Sequence, residues 1–123
     1  MYQVEFNIEE NLINVVISGH FNFDEATRLH AQVAQNIEKL SPGFGVLHDI
    51  SGIDNMDGQS LEPYKQMMDL CNVNGVAKIA RIIKDEHADF GLGIMSVFHY
   101  GADVHIRTFY ELDEAMAFLK KAE

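Results

Sequence analysis

Runs of β-branched and aromatic residues alternate along this chain with segments whose apolar residues return every three or four positions. That alternation constrains the fold more than any other feature. Tyr2–Ile8 and Leu12–Ser18 are β-rich and flank Glu9-Glu10-Asn11, a polar tripeptide suited to a tight reversal, so a hairpin is expected first. Asn22 then stands as a helix N-cap with Glu25 at the capping-box position. The spacing of Phe23, Ala26, His30, Val33, Ile37 and Leu40 predicts a helix from Phe23 to Leu40, ended by Ser41-Pro42-Gly43.

Gly45–Ile50 reads as a short strand interrupted by His48, and Ser51–Ser60 as a polar loop rich in turn formers. Proline is tolerated only in the first turn of a helix, so Pro63 sets the start of the second one, with Ser60 as its N-cap. Leu61, Tyr64, Met67, Met68 and Cys71 mark its buried face. Val76–Ile83 is a further strand, Asp85–Tyr100 a third helix weakened by Gly91 and Gly93, Val104–Phe109 the last strand, and Leu112, Ala115, Met116 and Leu119 the buried face of a last helix. The order ββαβαβαβα implies an α/β domain: a mixed, mostly parallel five-stranded sheet with four helices and an antiparallel edge from the initial hairpin. At 123 residues, with no repeat or linker-like tract, everything falls within one domain, 1–123.

Charge and cysteine content exclude several function classes. Nine Lys and Arg against 19 Asp and Glu give a formal charge of -10, which repels nucleic acid and anionic membranes. The single Cys71, the absence of a basic-then-apolar leader and the absence of a run of about 18 apolar residues point to a cytoplasmic chain without membrane insertion. No nucleophile elbow, phosphate loop, dinucleotide fingerprint or zinc motif occurs, so catalysis has no positive signal and no cofactor or metal is implied.

Asp49-Ile50-Ser51-Gly52-Ile53, followed by Asp57 and then a helix, in this order of elements, resembles the STAS superfamily of sulfate transporter and anti-sigma factor antagonist domains, also called SpoIIAA-like. In phosphorylated members that helix opens with a pattern like Asp-Ser-Ser-Gly-Leu whose second serine is modified. Asp57 and Leu61 match it, whereas Gln59 stands at the phosphoserine position. The resemblance therefore implies the fold and an interaction role without the phosphoswitch, and it places a partner surface at Ser51, Asp54, Asp57, Gln59 and Ser60. Stand-alone SpoIIAA-like proteins, some of them likened to carriers of lipophilic molecules, are similar.

The residues themselves offer further candidates. His48, Asp49, Asp54 and Asp57 carry side chains able to bind a cation or to act as acid and base, if the fold brings them together; otherwise the aspartates serve as turn and cap acceptors. His20, His99 and His105 form a histidine cluster only if the fold assembles one. Cys71, on a stripe with Met67 and Met68, reads as an inert packed thiol. Phe90, Leu92, Ile94, Met95, Val97, Phe98 and Tyr100 surround their predicted helix on all sides. That apolar excess implies a neighbouring helix that covers it, a homodimer contact that Phe98→Glu would break, or a pocket for a small lipophilic ligand near Tyr64, Met68, Phe90, Ile94 and Phe98.

Overall fold

A computed structural model describes residues 1–86 and 100–121. Tyr2–Asn7 (β1) and Leu12–Phe21 (β2) form the hairpin; Phe23–Asn36 (α1) tightens into a 3-10 turn at Ile37–Lys39. Gly45–Met56 (β3), a 3-10 turn at Gly58–Ser60 and Leu61–Val73 (α2) follow, then Lys78–Ile82 (β4), His105–Phe109 (β5) and Leu112–Lys120 (α3). The five strands lie in the order β1-β2-β3-β4-β5, with β1 antiparallel to β2 and the remaining pairs parallel. The expected α/β sheet is thus the observed one.

Local chemistry explains the boundaries. Asn22 Oδ1 accepts the Glu25 N–H at 2.9 Å, as its capping-box position predicts. Asn11 takes a left-handed φ of 58° to close the hairpin, a conformation asparagine tolerates better than most residues. Its side chain then exchanges two bonds with the Ser41 backbone, pinning the hairpin to the α1–β3 connection.

The sheet is covered on both faces. Residues of one parity, Ile13, Val15, Ile17, Val46, Ile50, Ile79 and Ile83, pack with Ala26, Leu29 and Val33 of α1 and with Tyr64, Met67, Met68 and Cys71 of α2. Residues of the other parity, Leu47, Ala80 and Ile82, meet Phe109 and Ala115 in a smaller cluster beneath α3. Alternation along each strand produces this division.

Two expectations are corrected. Ser51–Ser60 is not a loop, because its first six residues continue β3 and its last three form the 3-10 turn, leaving Asp57 alone between elements. Pairing with the end of β2 sustains this, since Ser18, Gly19, His20 and Phe21 face Gly52, Ile53, Asn55 and Met56 across two register shifts. At the second shift Asp54 is the extra residue, and Gly19, at φ +68°, supplies the backbone bend that most side chains resist. The second correction concerns helix count: the described residues hold three α-helices instead of four. Asp85 and Glu86, at the start of the expected third helix, are not helical, and 87–99 lie outside the described residues.

Replacing Asn22 by Ala is expected to lower the unfolding free energy by about 1 kcal/mol, read as a lower urea midpoint at unchanged m-value.

Candidate functional site

The carboxyl ends of β2 and β3 lie side by side, and α1 and α2 both start there. Asp57 ties them together with three of its groups. Its N–H donates to the Phe21 carbonyl at 3.0 Å, and its carbonyl accepts both the Ser60 N–H at 3.0 Å and the Ser60 hydroxyl at 2.5 Å. Its carboxylate lies 3.0 Å from His20 Nε2. The other ring nitrogen of His20 contacts Asn55 Oδ1, its partner residue across the two strands. Two acceptors on one imidazole favour the doubly protonated form. The His20 pKa is accordingly raised, chiefly by the Asn55 hydrogen bond, which outweighs an opposing effect of desolvation, with lesser support from Asp57 and Glu25.

The five residues expected to form a partner surface fall into two groups. Asp54 and Gln59 are exposed and Asp57 is half-exposed at the tip. Ser51 and Ser60 are occupied. The Ser51 hydroxyl donates to Asp49 Oδ1 at 2.6 Å, and the same oxygen accepts the Ser51 N–H at 3.0 Å. Ser60 is fully buried, and it does not cap α2 as expected, because its hydroxyl turns back to donate to Asp57.

A second cluster lies inside the core. His48 of β3 and Arg81 of β4 are register partners, so their side chains leave the same sheet face, toward α2. Both are buried, at 4% and 3% exposure, among Ile13, Val33, Met67 and Met68. The Tyr64 hydroxyl reaches down from α2 to within 2.7 Å of His48 Nδ1, and Tyr100 closes the chamber. Space inside is about 10 Å³, close to that of one water molecule. Desolvation, aided by the Arg81 charge, lowers the His48 pKa to about 3, so the ring is neutral. Burial raises the Cys71 thiol to about 12, which fits the packed, inert thiol its stripe suggests. Tyr100 is raised as well, first by burial.

Of the expected ligand pocket, Tyr64 and Met68 share this chamber, while Phe90, Ile94 and Phe98 lie outside the described residues. The acid–base constellation does not assemble: His48 and Asp49 leave opposite faces of β3, and Asp57 stands at the tip. His20 and His105 lie at opposite ends of the sheet, since His20 closes β2 and His105 opens β5, and His99 is outside the described residues. Among the described residues no three His, Cys, Asp or Glu converge as metal ligands, and no helix is long and apolar enough to cross a membrane.

Sequence reasoning missed two contacts, His20 with Asp57 and His48 with Arg81. The second had a visible signal, because His48 stands between Val46 and Ile50 and Arg81 between Ile79 and Ile83, at positions whose alternation puts them on the apolar face. The first depends on the pairing of β2 with the extension of β3, which local composition hides.

The backbone path has close parallels among solved structures. An uncharacterised protein of the DUF3478 family from Shewanella loihica, with a SpoIIAA-like fold, superposes with a TM-score of 0.72 over 97% of this chain and 92% of that one, at 12% identity. The anti-sigma factor antagonist SpoIIAA in its unphosphorylated form gives 0.65 over 99% and 100%, at 13% identity. This chain has the SpoIIAA-like fold. An anti-sigma factor antagonist from Mycobacterium paratuberculosis is also similar, with a TM-score of 0.63 over 98% and 94% at 13% identity. No protein-family model and no curated protein matches the sequence.

Burial of neutral His48 makes stability fall with acid. Its folded pKa lies below the unfolded value of 6.5, so its contribution is complete above that value and is lost as pH falls toward about 3. The expected slope reaches about 1.4 kcal/mol per pH unit within that window. His48→Gln, which keeps a hydrogen-bonding side chain but does not titrate, should flatten it in urea titrations run at successive pH values.

Proposed function

We propose that this protein is a non-enzymatic, STAS-like interaction or regulatory module that binds a protein partner through the tip where β2 and β3 meet α1 and α2. In open α/β sheets the carboxyl ends of parallel strands are the usual place for such contacts. Asp54, displaced outward by the register shift, and Gln59, on the 3-10 turn, supply exposed polar groups on either side of Asp57. The hydrogen-bonded frame around Asp57 fixes their backbone, so little ordering entropy is lost on docking.

Binding at this surface is constitutive. The carrying observation is the state of the two serine hydroxyls: Ser60 is buried and bonded to the Asp57 carbonyl, and Ser51 is bonded to Asp49. Gln59 has no hydroxyl to modify. A phosphate at either serine would break these bonds and meet the carboxylate of Asp49 or Asp57. The fold neighbours include SpoIIAA and another protein described as an anti-sigma factor antagonist, which supports an interaction role here by analogy of fold.

A pull-down with the purified protein from its own cell extract tests this reading. A specific partner should be lost on the double substitution Asp54→Lys, Gln59→Arg and retained by a charge reversal elsewhere, such as Glu38→Lys. Peptide mass analysis of the same protein should show Ser51 and Ser60 unmodified; stoichiometric phosphate on either one would restore the phosphoswitch and sink the constitutive reading.

A second reading, a carrier or sensor of a small lipophilic molecule, is favoured by one observation. Tyr64 and Met68 share a chamber whose apolar walls and few buried polar groups have the lining chemistry of a small-molecule site, although its space of about 10 Å³ holds one water molecule, so a ligand enters only if α2 and the sheet part. Native mass spectrometry on the freshly purified protein decides it: a retained molecule of defined mass, displaced in Met68→Trp, supports the carrier, and only bare protein removes it.

A further inference from the structure

The outer edge of β1 closes one side of the sheet. Met1 and Ser18 exchange two backbone bonds, Ser18 N–H to the Met1 carbonyl at 2.8 Å and Met1 N to the Ser18 carbonyl at 2.9 Å. From that pair the β1–β2 register runs without a shift to Asn7 opposite Leu12. Antiparallel ladders alternate bonded and non-bonded pairs, so Gln3, Glu5 and Asn7 bond inward to β2. The N–H and C=O groups of Tyr2, Val4 and Phe6 therefore point outward, and no described strand pairs with them.

Edge strands are commonly blunted by proline, lysine, a bulge or a covering element. Tyr2-Gln3-Val4-Glu5-Phe6-Asn7 contains no proline or lysine, its register has no bulge, and beside it runs an open groove of about 540 Å³ bounded by α1 residues Arg28 and Gln32. One charge, Glu5, stands on the strand.

We propose that this edge pairs with the same edge of a second copy, antiparallel about a two-fold axis at Val4, joining two sheets into one. Outward-facing groups must meet outward-facing groups, so Tyr2, Val4 and Phe6 pair only among themselves and allowed registers differ by two residues. With the axis at Glu5 the two carboxylates would oppose each other, a destabilising like-charge pair. With the axis at Gln3 the strands overlap less. At Val4 the overlap is longest, Val4 faces its own copy, Tyr2 faces Phe6, and Glu5 faces Gln3, an acceptor against an amide donor. An isologous contact of this kind closes on itself and leaves no free β1 edge. It stands apart from the helix contact expected from Phe90–Tyr100, of which all but Tyr100 lies outside the described residues, and apart from the proposed partner surface at the sheet tip.

The test is sedimentation equilibrium of the untagged full chain from micromolar to near-millimolar concentration, with hydrogen exchange of the Val4 amide on the same samples. Gln3 is exposed, so Gln3→Lys and Gln3→Glu leave the fold intact. In Gln3→Lys the introduced ammonium faces Glu5 of the other copy twice over, and these two symmetric ion pairs should tighten the dimer about five-fold. In Gln3→Glu two like-charge pairs arise instead and should weaken it by a similar factor. Val4→Pro removes an outward N–H without touching the β1–β2 ladder and should abolish the dimer. A dimer that follows this order, with the Val4 amide protected only where dimer is populated, confirms the edge. A chain monomeric throughout, or a dimer indifferent to the Gln3 substitutions, overturns the assignment. So does a monomer whose Val4 amide is protected only by an extended segment of another protein, which would give the edge to that partner.

Discussion

Burial of β3 on both faces is the constraint on which the rest of the structure depends. Val46 and Ile50 face α1 and α2, Leu47 faces α3, and hydrogen-bonded neighbours flank the strand on both edges. A strand enclosed in this way has one register compatible with its side chains, since a slip of one residue would exchange the two faces. Gly45 at its start shows how tightly it is held: a Cβ there would lie 2.8 Å from a Leu12 methyl and 3.1 Å from a Leu119 methyl. A side chain at that point would push the Leu12 and Leu119 methyl groups out of their packed positions.

Into the better-covered face the chain places two polar side chains, and the register makes them neighbours. An unpaired neutral imidazole buried in an apolar layer costs free energy, so Tyr64, from the helix above, matters to the whole layer. Its hydroxyl satisfies His48 while its ring packs edge-on against Phe21 at 6.3 Å between centroids. One residue thus joins the buried polar pair to the end of β2, and so links the interior to the tip.

Much of this is legible in the sequence, and the unread parts share a physical cause. The Asn22 cap, the hairpin and the α2 start set by Pro63 are signals carried by adjacent residues. Ser51 to Met56 reads as a loop because Ser-Gly-Ile-Asp-Asn has the composition of a turn. Pairing with the end of β2, residues more than 30 positions away, overrides that local preference. Ser60 misleads for a related reason: its hydroxyl has two local acceptor or donor choices, and the 3-10 turn settles the contest in favour of the Asp57 carbonyl. The proximity of His20 to Asp57 is invisible without the strand extension. Alignment with a phosphorylated family pattern draws attention to Asp57, and the geometry there is that of a closed hydrogen-bonded joint.

That joint also bears on how the tip behaves. Asp57 holds the end of β2 through Phe21, the start of α2 through Ser60, and a side chain of β2 through His20. Breaking any one of these leaves the other two to maintain the geometry, so the surface around Asp54 and Gln59 keeps one shape. The His20 contact is the weakest of the three, because it is exposed and an exposed ion pair contributes little. Its sign is nevertheless defined. A raised pKa means that protonated His20 strengthens the joint below its ordinary value and that this contribution fades as pH rises through the folded pKa, opposite to the trend set by His48. Acid therefore acts on the two places in opposite directions: it tightens the joint at the tip while it strains the core beneath, and the core, being buried, carries the larger free-energy change.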